Sequence, residues 1–341
     1  MLASVIIYTY KRKEFILNAL ESVSSQSVPR SDYEIIVVKA FHDQEIDSKI
    51  DSLADRNLFV DEKGHGKKLV PAIIASRGEI IFLLDDDDVF LPTKMAKILE
   101  LFKHHSDLVF AHHSITKVDE NGLQFEGDEE AVPSRELWLD TSKLTRKIIS
   151  GFLKYRANWY SSCMAFSRKS LLEHLSFLEE VDQSVDPFLF FMAISSKGRM
   201  VLIPDRLTKY RVHLSTTNYI DQYTSYISRK RIFYSNTLRI YSIALTMSKG
   251  LPSETFVRAS ISNMKLITTF LSDHSSRREI FTAILSVLRE ANTFFTRYSL
   301  VWLIFSVMKF VAGHLALKLY YLYNLVEFSR TTSEASDSGG L

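Results

Sequence analysis

Residues 78–92 read Gly-Glu-Ile-Ile-Phe-Leu-Leu-Asp-Asp-Asp-Asp-Val-Phe-Leu-Pro, a short apolar run that ends in four consecutive carboxylates, Asp85 to Asp88. The run Ile80 to Leu84, bounded by Gly78-Glu79 on one side and by charge on the other, predicts a buried strand. Negative charge at the carboxyl end of such a strand stands where open α/β sheets bind their ligands. Four adjacent carboxylates repel one another, and a hard divalent cation such as Mg²⁺ or Mn²⁺ would relieve that cost. In an extended stretch Asp85 and Asp87 point to one side, Asp86 and Asp88 to the other. An isolated acid run reads as a solvated turn, so the surrounding chain has to decide.

Working outward from this segment, strands and helices alternate. Strands are expected at Val5–Thr9, Tyr33–Val38, Asn57–Val60, Ile80–Leu84 and Leu108–His112. Helices are expected over Glu14–Ser25, Ile46–Leu53, Lys68–Ser76 with Pro71 in the first turn, and Pro92 to about Phe102. This alternation predicts an α/β fold with a mostly parallel sheet and flanking helices. Residues 119–140 lack periodicity and read as a long loop. Further strands are expected at Ser161–Ser167, Met200–Ile203 and Lys209–His213, and an apolar helix at Phe188–Ser195.

The chain has 341 residues, 46% of them hydrophobic, ample for a large domain or two smaller ones. Its 42 Lys and Arg against 40 Asp and Glu give a net charge of +2, which carries no nucleic-acid signal. The single cysteine, Cys163, excludes an internal disulfide framework and a Cys-rich zinc site. A reducing, cytosol-facing location fits this usage, and the N-terminus lacks the pattern of a signal peptide.

Three segments divide the chain: an α/β domain at 1–215, a basic helical region at 216–330, and a small polar tail at 331–341 expected to be disordered. Within the helical region Ser299–Leu317 is almost wholly apolar, interrupted by Lys309 and His314. Its length approaches a bilayer span, but a mid-span lysine is costly there. A helix lying in a membrane interface is the favoured reading, ahead of a buried bundle helix and of a spanning one.

The opening Ser4-Val5-Ile6-Ile7-Tyr8-Thr9-Tyr10-Lys11-Arg12 resembles the first strand and loop of glycosyltransferase family 2, which typically reads SVIIPTYNR. Residues 78–92 resemble that family's metal-binding segment, and Tyr210-Arg211-Val212-His213-Leu214-Ser215 its closing stretch. The three segments fall in the family's order over about residues 1–215. The resemblance implies a GT-A fold, a nucleotide-sugar donor, a divalent metal (Mg²⁺ or Mn²⁺) and inversion at the anomeric carbon. It assigns Asp87 to the metal, with Asp88 and His213 as further metal ligands. Asp85 goes to the ribose or to support behind the metal. Thr9, Tyr10, Arg12, Lys67, Lys68, Asp85, Asp86 and Arg211 form the expected donor-binding set.

Inversion needs a carboxylate to take the acceptor's proton. The family's base opens a helix in an Glu-Asp pair; the matching place here is Val185-Asp186, so the resemblance makes Asp186 the base and Val185 a departure. Asp186 also suits the cap of the helix that Pro187 begins, and both roles can hold. A second departure is Lys39 at the end of the second strand, where the family places a base-reading Asp. The nucleotide is therefore open, with a UDP-sugar expected first and GDP- or dTDP-sugars behind it. The acceptor expected is a glycan or lipid-linked precursor. The enzyme would sit in the cytoplasm, peripheral at the inner face of the cell membrane, where the basic helices meet anionic lipid. Two other readings stand beside it: a catalytically inactive scaffold, and a nucleotidyltransferase on a similar sheet. The loop after the first strand lacks the glycine such a nucleotidyltransferase would show.

Overall fold

The computed structural model describes residues 2–125, 130–212, 220–293 and 295–337. The chain divides into two units, residues 1–212 with 250–253, and residues 213–249 with 254–341.

The first unit alternates as the sequence predicts. Strand β1 (Ala3–Tyr8) leads to helix α1 (Ile16–Ser24), β2 (Tyr33–Lys39), α2 (Gln44–Leu53), β3 (Arg56–Phe59), α3 (His65–Ala75) and β4 (Ile80–Asp85). After the acids come the short β5 (Val89–Phe90), α4 (Lys94–His104), β6 (Leu108–Val118), β7 (Leu137–Asp140) and α5 (Arg146–Lys154). The unit continues through β8 (Met164–Ser167), α6 (Arg168–Leu172), α7 (Leu175–Glu179), α8 (Val185–Ser195) and β9 (Arg199–Arg211). Among the described residues nine strands form one sheet in the order β3-β2-β1-β4-β8-β6-β9-β5, with β7 on β9.

The N-terminal half of the sheet is parallel: β1 pairs with β2 and β4, and β2 with β3. The other half is mixed, because β8 runs antiparallel between β4 and β6 while β6 and β9 are parallel. Parallel strands covered on both faces must be apolar throughout. Accordingly every residue of β1 and β2 is buried. One face of the two strands, Ala3, Val5, Ile7, Tyr33, Ile35 and Val37, forms one core with Ile16, Leu20 and Val23 of α1 and Met95, Ile98 and Phe102 of α4.

Several boundaries differ from expectation for identifiable reasons. Helix α3 starts at His65, three residues early, which leaves Pro71 inside it rather than in its first turn. That early start depends on Gly66, since a Cβ there would come within 1.7 Å of the Leu178 carbonyl oxygen. The two short strands expected around 200–213 are one strand, β9, whose pairing with β6 shifts register near His112 and Ser114. Part of the expected loop at 119–140 is strand β7, antiparallel to β9.

The second unit consists of α9 (Tyr223–Met247), α10 (Glu254–Leu271), α11 (Arg277–Arg289), α12 (Arg297–Ala312) and α13 (Leu315–Asp337). The apolar stretch 299–317 is not one helix. Gly313, at φ 59°, ends α12 in a conformation that favours glycine, and α13 begins two residues on. Among the described residues no helix is long and apolar enough to cross a membrane, so the spanning alternative is not met. Lys309 is buried, and its ammonium donates to the carbonyls of Thr269 at 3.1 Å, Phe270 at 2.6 Å and Ser272 at 2.5 Å, closing the end of α10. The polar residues from Thr331, expected to lack order, continue α13 to Asp337; extending a formed helix costs far less than nucleating one.

Candidate active site

Parallel pairing brings the carboxyl ends of β1 and β4 side by side, with Tyr8 in register with Asp85. The chain then turns sharply: the Asp88 amide donates to the Asp85 carbonyl at 3.2 Å, and Val89–Phe90 pairs with β9. Asp86 to Asp88 therefore lie in a turn, and the alternation expected of an extended stretch does not hold. Each carboxylate has its own surroundings.

Asp86 is an anchor. Thr9 Oγ1 lies 2.5 Å and Arg12 Nε 3.1 Å from its Oδ2. The Arg12 guanidinium also reaches Asp87 Oδ2 at 2.8 Å, so it spans both acids. Asp88 is fully buried; its Oδ1 accepts from the Arg211 amide at 3.0 Å, and its Oδ2 is buried with no hydrogen-bond partner among the described residues. Asp85 accepts from Ser161 Oγ at 3.0 Å, and its amide donates to Ser162 Oγ at 3.0 Å. Burial pushes all three of Asp85, Asp87 and Asp88 above the usual carboxylate range. For Asp87, burial and then the charge of Asp85 raise the pKa to about 7, against the opposing pull of Arg12.

Asp186 comes from the first turn of α8, and its Oδ2 accepts from the Tyr160 amide at 3.0 Å. The backbone on both sides of this bond is left-handed at non-glycine residues, Tyr160 at φ 63° and Ser184 at φ 52°. Such conformations cost about 1–3 kcal/mol each and persist only where the surroundings impose them. Burial, and next the charge of Asp85, raise the Asp186 pKa to about 7. Ser161 connects the two acids: it bonds Asp85, sits next to Tyr160, and its hydroxyl lies 2.9 Å from the Tyr8 hydroxyl.

The remaining sequence-predicted residues divide. Tyr10 and Lys68 meet: the buried Lys68 ammonium is 5.0 Å from the Tyr10 ring centroid. Burial lowers its pKa while Asp86 and Asp85 oppose that shift. Lys67 turns away to Glu62 at 3.1 Å. Both lysines belong to α3, which takes in Lys67 because it starts ahead of the expected Lys68. Arg211 is buried and its guanidinium is bonded to carbonyls of Asp87 and Asp119 at 3.0 Å, which makes it a brace across the acidic turn rather than an open anion-binding group. His213 lies outside the described residues. Lys39, where a base-reading Asp was expected, is buried and pairs with Asp47 at 2.7 Å and with the Phe41 carbonyl at 2.8 Å.

Sequence reasoning missed Tyr8, Ser161 as a connector, and Lys94. Lys94 is wholly buried beneath the acids, 3.1 Å from Thr208 Oγ1 and also bonded to the Ser162 carbonyl; burial lowers its pKa to about 7. For Tyr8 a signal existed, since it replaces the proline of the SVIIPTYNR pattern. For Lys94 there was none, because a lysine in the first turn of a helix reads as solvated.

The acid set suits a divalent cation by its chemistry: oxygen donors only, pKa values raised by burial and then by neighbouring carboxylates, and, among the described residues, one buried oxygen without a hydrogen-bond partner. Among the described residues no three acidic, His or Cys side chains converge as a metal cage. Mg²⁺ and its kin are commonly held by one or two carboxylates together with substrate phosphates, so a full cage is not required.

A sheet whose parallel half ends in buried acids, with a further buried carboxylate joined to them through Ser161, is an arrangement of the GT-A kind. Residues 4–176 match the family model described as glycosyl transferase family 2, and the chain belongs to that family and is a glycosyltransferase. It is 24% identical over 251 residues to an uncharacterized glycosyltransferase of Methanocaldococcus jannaschii, covering 70% of this chain and 79% of that one. A segment of 98 residues, 26% of this chain and 15% of the relative, is 34% identical to the poly(ribitol-phosphate) beta-glucosyltransferase of Bacillus spizizenii. Among solved structures, S. aureus TarS residues 1–349 with UDP-GlcNAc superposes with a TM-score of 0.55 at 14% identity over 92% of each chain. The mannosyltransferase PcManGT of Pyrobaculum calidifontis, with GDP-Man and Mn²⁺, gives 0.50 at 13% identity, over 95% of this chain and 86% of that one. The fold expectation holds, and the family assignment sets the nucleotidyltransferase reading aside.

Proposed function

We propose that this glycosyltransferase takes a sugar from a nucleoside diphosphate sugar and passes it, with inversion, to a hydroxyl of a glycan or lipid-linked acceptor at the cytoplasmic face of a membrane. The observation that carries this reading is Asp186: a carboxylate fixed by the Tyr160 amide, set across Ser161 from Asp85, with a pKa of about 7. A base poised near neutrality can take a hydroxyl proton without being permanently protonated. The acceptor oxygen forms its bond to the anomeric carbon as the bond to the diphosphate oxygen breaks. The proton goes to Asp186, and the electron pair of the broken bond leaves with the diphosphate.

Asp87, with Asp85 behind it, would hold Mg²⁺ or Mn²⁺, whose contribution when bound is to offset negative charge on the departing diphosphate. Tyr10 and Lys68 supply a ring and a cation beside the acids for the donor. Thr9 and Asp86 hold the Arg12 loop in place. UDP-sugar is the expected donor, in keeping with the UDP-GlcNAc bound by TarS, while PcManGT binds GDP-Man. One observation favours the inactive scaffold instead: Arg12 is already paired with both Asp86 and Asp87.

The deciding experiment assays nucleoside diphosphate release from UDP-, GDP- and dTDP-sugars with Mn²⁺, with and without EDTA, and donor binding by calorimetry. Release from one donor, abolished by EDTA, is expected. No release together with no donor binding would establish the scaffold.

A further inference from the structure

A surface helix normally buries one stripe and presents polar residues on the other. Helices α12 and α13 do not. On α12, Leu300, Ile304, Val307 and Val311 are between 45% and 71% exposed at spacings of four, three and four residues. On α13, Leu315, Leu319, Leu322 and Val326 repeat the same spacing at 37% to 56% exposure. Each helix already has a core face, Trp302 and Phe305 on α12 and Leu317 and Tyr320 on α13. The outward rows are therefore a second apolar surface. They meet where Val311 and Leu315 flank the Gly313 turn, and Phe305 touches Tyr323 across the pair at 5.7 Å. Scattered exposed apolar residues need no explanation, but two aligned rows on packed helices mark an interaction surface.

Charge selects the occupant. From residue 291 to 326 the sequence has no Asp or Glu, and carries Arg297, Lys309 and Lys318. Lys309 is turned inward to the end of α10. Lys318 is exposed in the α13 row, three residues after Leu315 and four before Leu322. Two copies meeting symmetrically on this face would set Lys318 against its own copy, with no acid between residues 291 and 326 to receive it. An anionic lipid surface offers both an apolar layer for the rows and negative headgroups for Lys318.

We propose that the outward face of α12 and α13 is a docking surface for anionic membrane, on which the two helices lie in plane. The proposal rests on the membrane location in the function proposed above, and on none of its chemistry. Exposed Arg277 and Arg278 at the start of α11 extend the positive character of the same helical unit.

The test is flotation of the full chain with vesicles of phosphatidylcholine alone or in equal parts with phosphatidylglycerol. Donor-dependent nucleotide release is assayed on the same preparations, so that loss of docking and loss of catalysis are read separately. The wild-type protein should float with the anionic vesicles and much less with the neutral ones. Ile304→Glu combined with Leu319→Glu should lose binding at least tenfold, both changes being at exposed positions that the fold does not need. Lys318→Ala should weaken anionic-vesicle binding about fivefold. Failure of the wild type to float, or equal flotation of the double variant, would overturn the proposal. So would light scattering that shows a wild-type dimer dissolved by the same glutamates without vesicle binding, which would assign the face to a second copy.

Discussion

Each unit of the molecule buries charge, and the two treat it in opposite ways. In the α/β unit Asp85, Asp87, Asp88 and Asp186 are crowded and raised in pKa, and among the described residues one oxygen of Asp88 has no hydrogen-bond partner. In the helical unit the buried Lys309 has three carbonyl acceptors, one for each ammonium proton. A saturated charge is structure, and breaking it exposes unpaired groups. An unsaturated one stores free energy that a ligand or a proton can release, which is why such groups gather at active sites.

The contrast is tested most severely at Asp186. Replacement by Asn keeps the shape and removes the proposed base, so turnover should fall about 10³-fold while donor affinity stays near wild type. Stability should move the other way. The folded-state pKa of about 7 lies above the ordinary carboxylate value, so the folded protein holds the Asp186 proton more tightly than the unfolded chain. The wild type therefore loses stability through this group as pH rises from about 4 to 7; Asp186→Asn lacks that share of the loss, while Asp87 and its neighbours keep theirs. Denaturant unfolding should find the variant the more stable at pH 8 and the gap closing toward pH 4. Near-normal turnover would place the base elsewhere.

Asp87→Ala comes next. It removes one of the two acids that Arg12 spans, and metal-dependent donor affinity should fall about 10²-fold by calorimetry in Mn²⁺. Unchanged affinity would remove Asp87 from the donor site. A smaller effect is expected from pH alone: with wild-type enzyme, kcat/KM should drop about tenfold per unit below pH 7 as Asp186 takes up a proton, and level off above it. A flat profile from pH 6 to 8 would mean that another group carries the proton.

The same contrast explains what could be read from the sequence. Strand β4 and its acids were legible because a buried strand must be apolar and a charge run can only follow its end. Asp186 was legible through the family pattern, and its distance from Asp85 in the sequence hid the coupling that Ser161 makes between them. The roles of Arg211 and Lys67 were not legible, since whether a cation faces a ligand, a carbonyl or a neighbouring Glu depends on packing. In the helical unit apolar content pointed to helices but not to the break at Gly313, and Lys309 reads as an obstacle in an apolar run until its acceptors on α10 are known.

Lys309→Met is the gentlest test and bears on that last point. Methionine fills a similar volume but leaves the carbonyls of Thr269, Phe270 and Ser272 without their donor. Each lost partner is partly replaced by relaxation of the helix end, so the net cost should be about 2 kcal/mol. Burial lowers the Lys309 pKa to about 8, which works against the charged form and keeps the loss from being larger. Donor affinity measured by calorimetry should be unaltered, because no acid of the donor site is touched. If Lys309→Met were instead more stable than wild type, the burial penalty would outweigh three hydrogen bonds, and Lys309 would belong with the unsaturated charges of the α/β unit rather than against them.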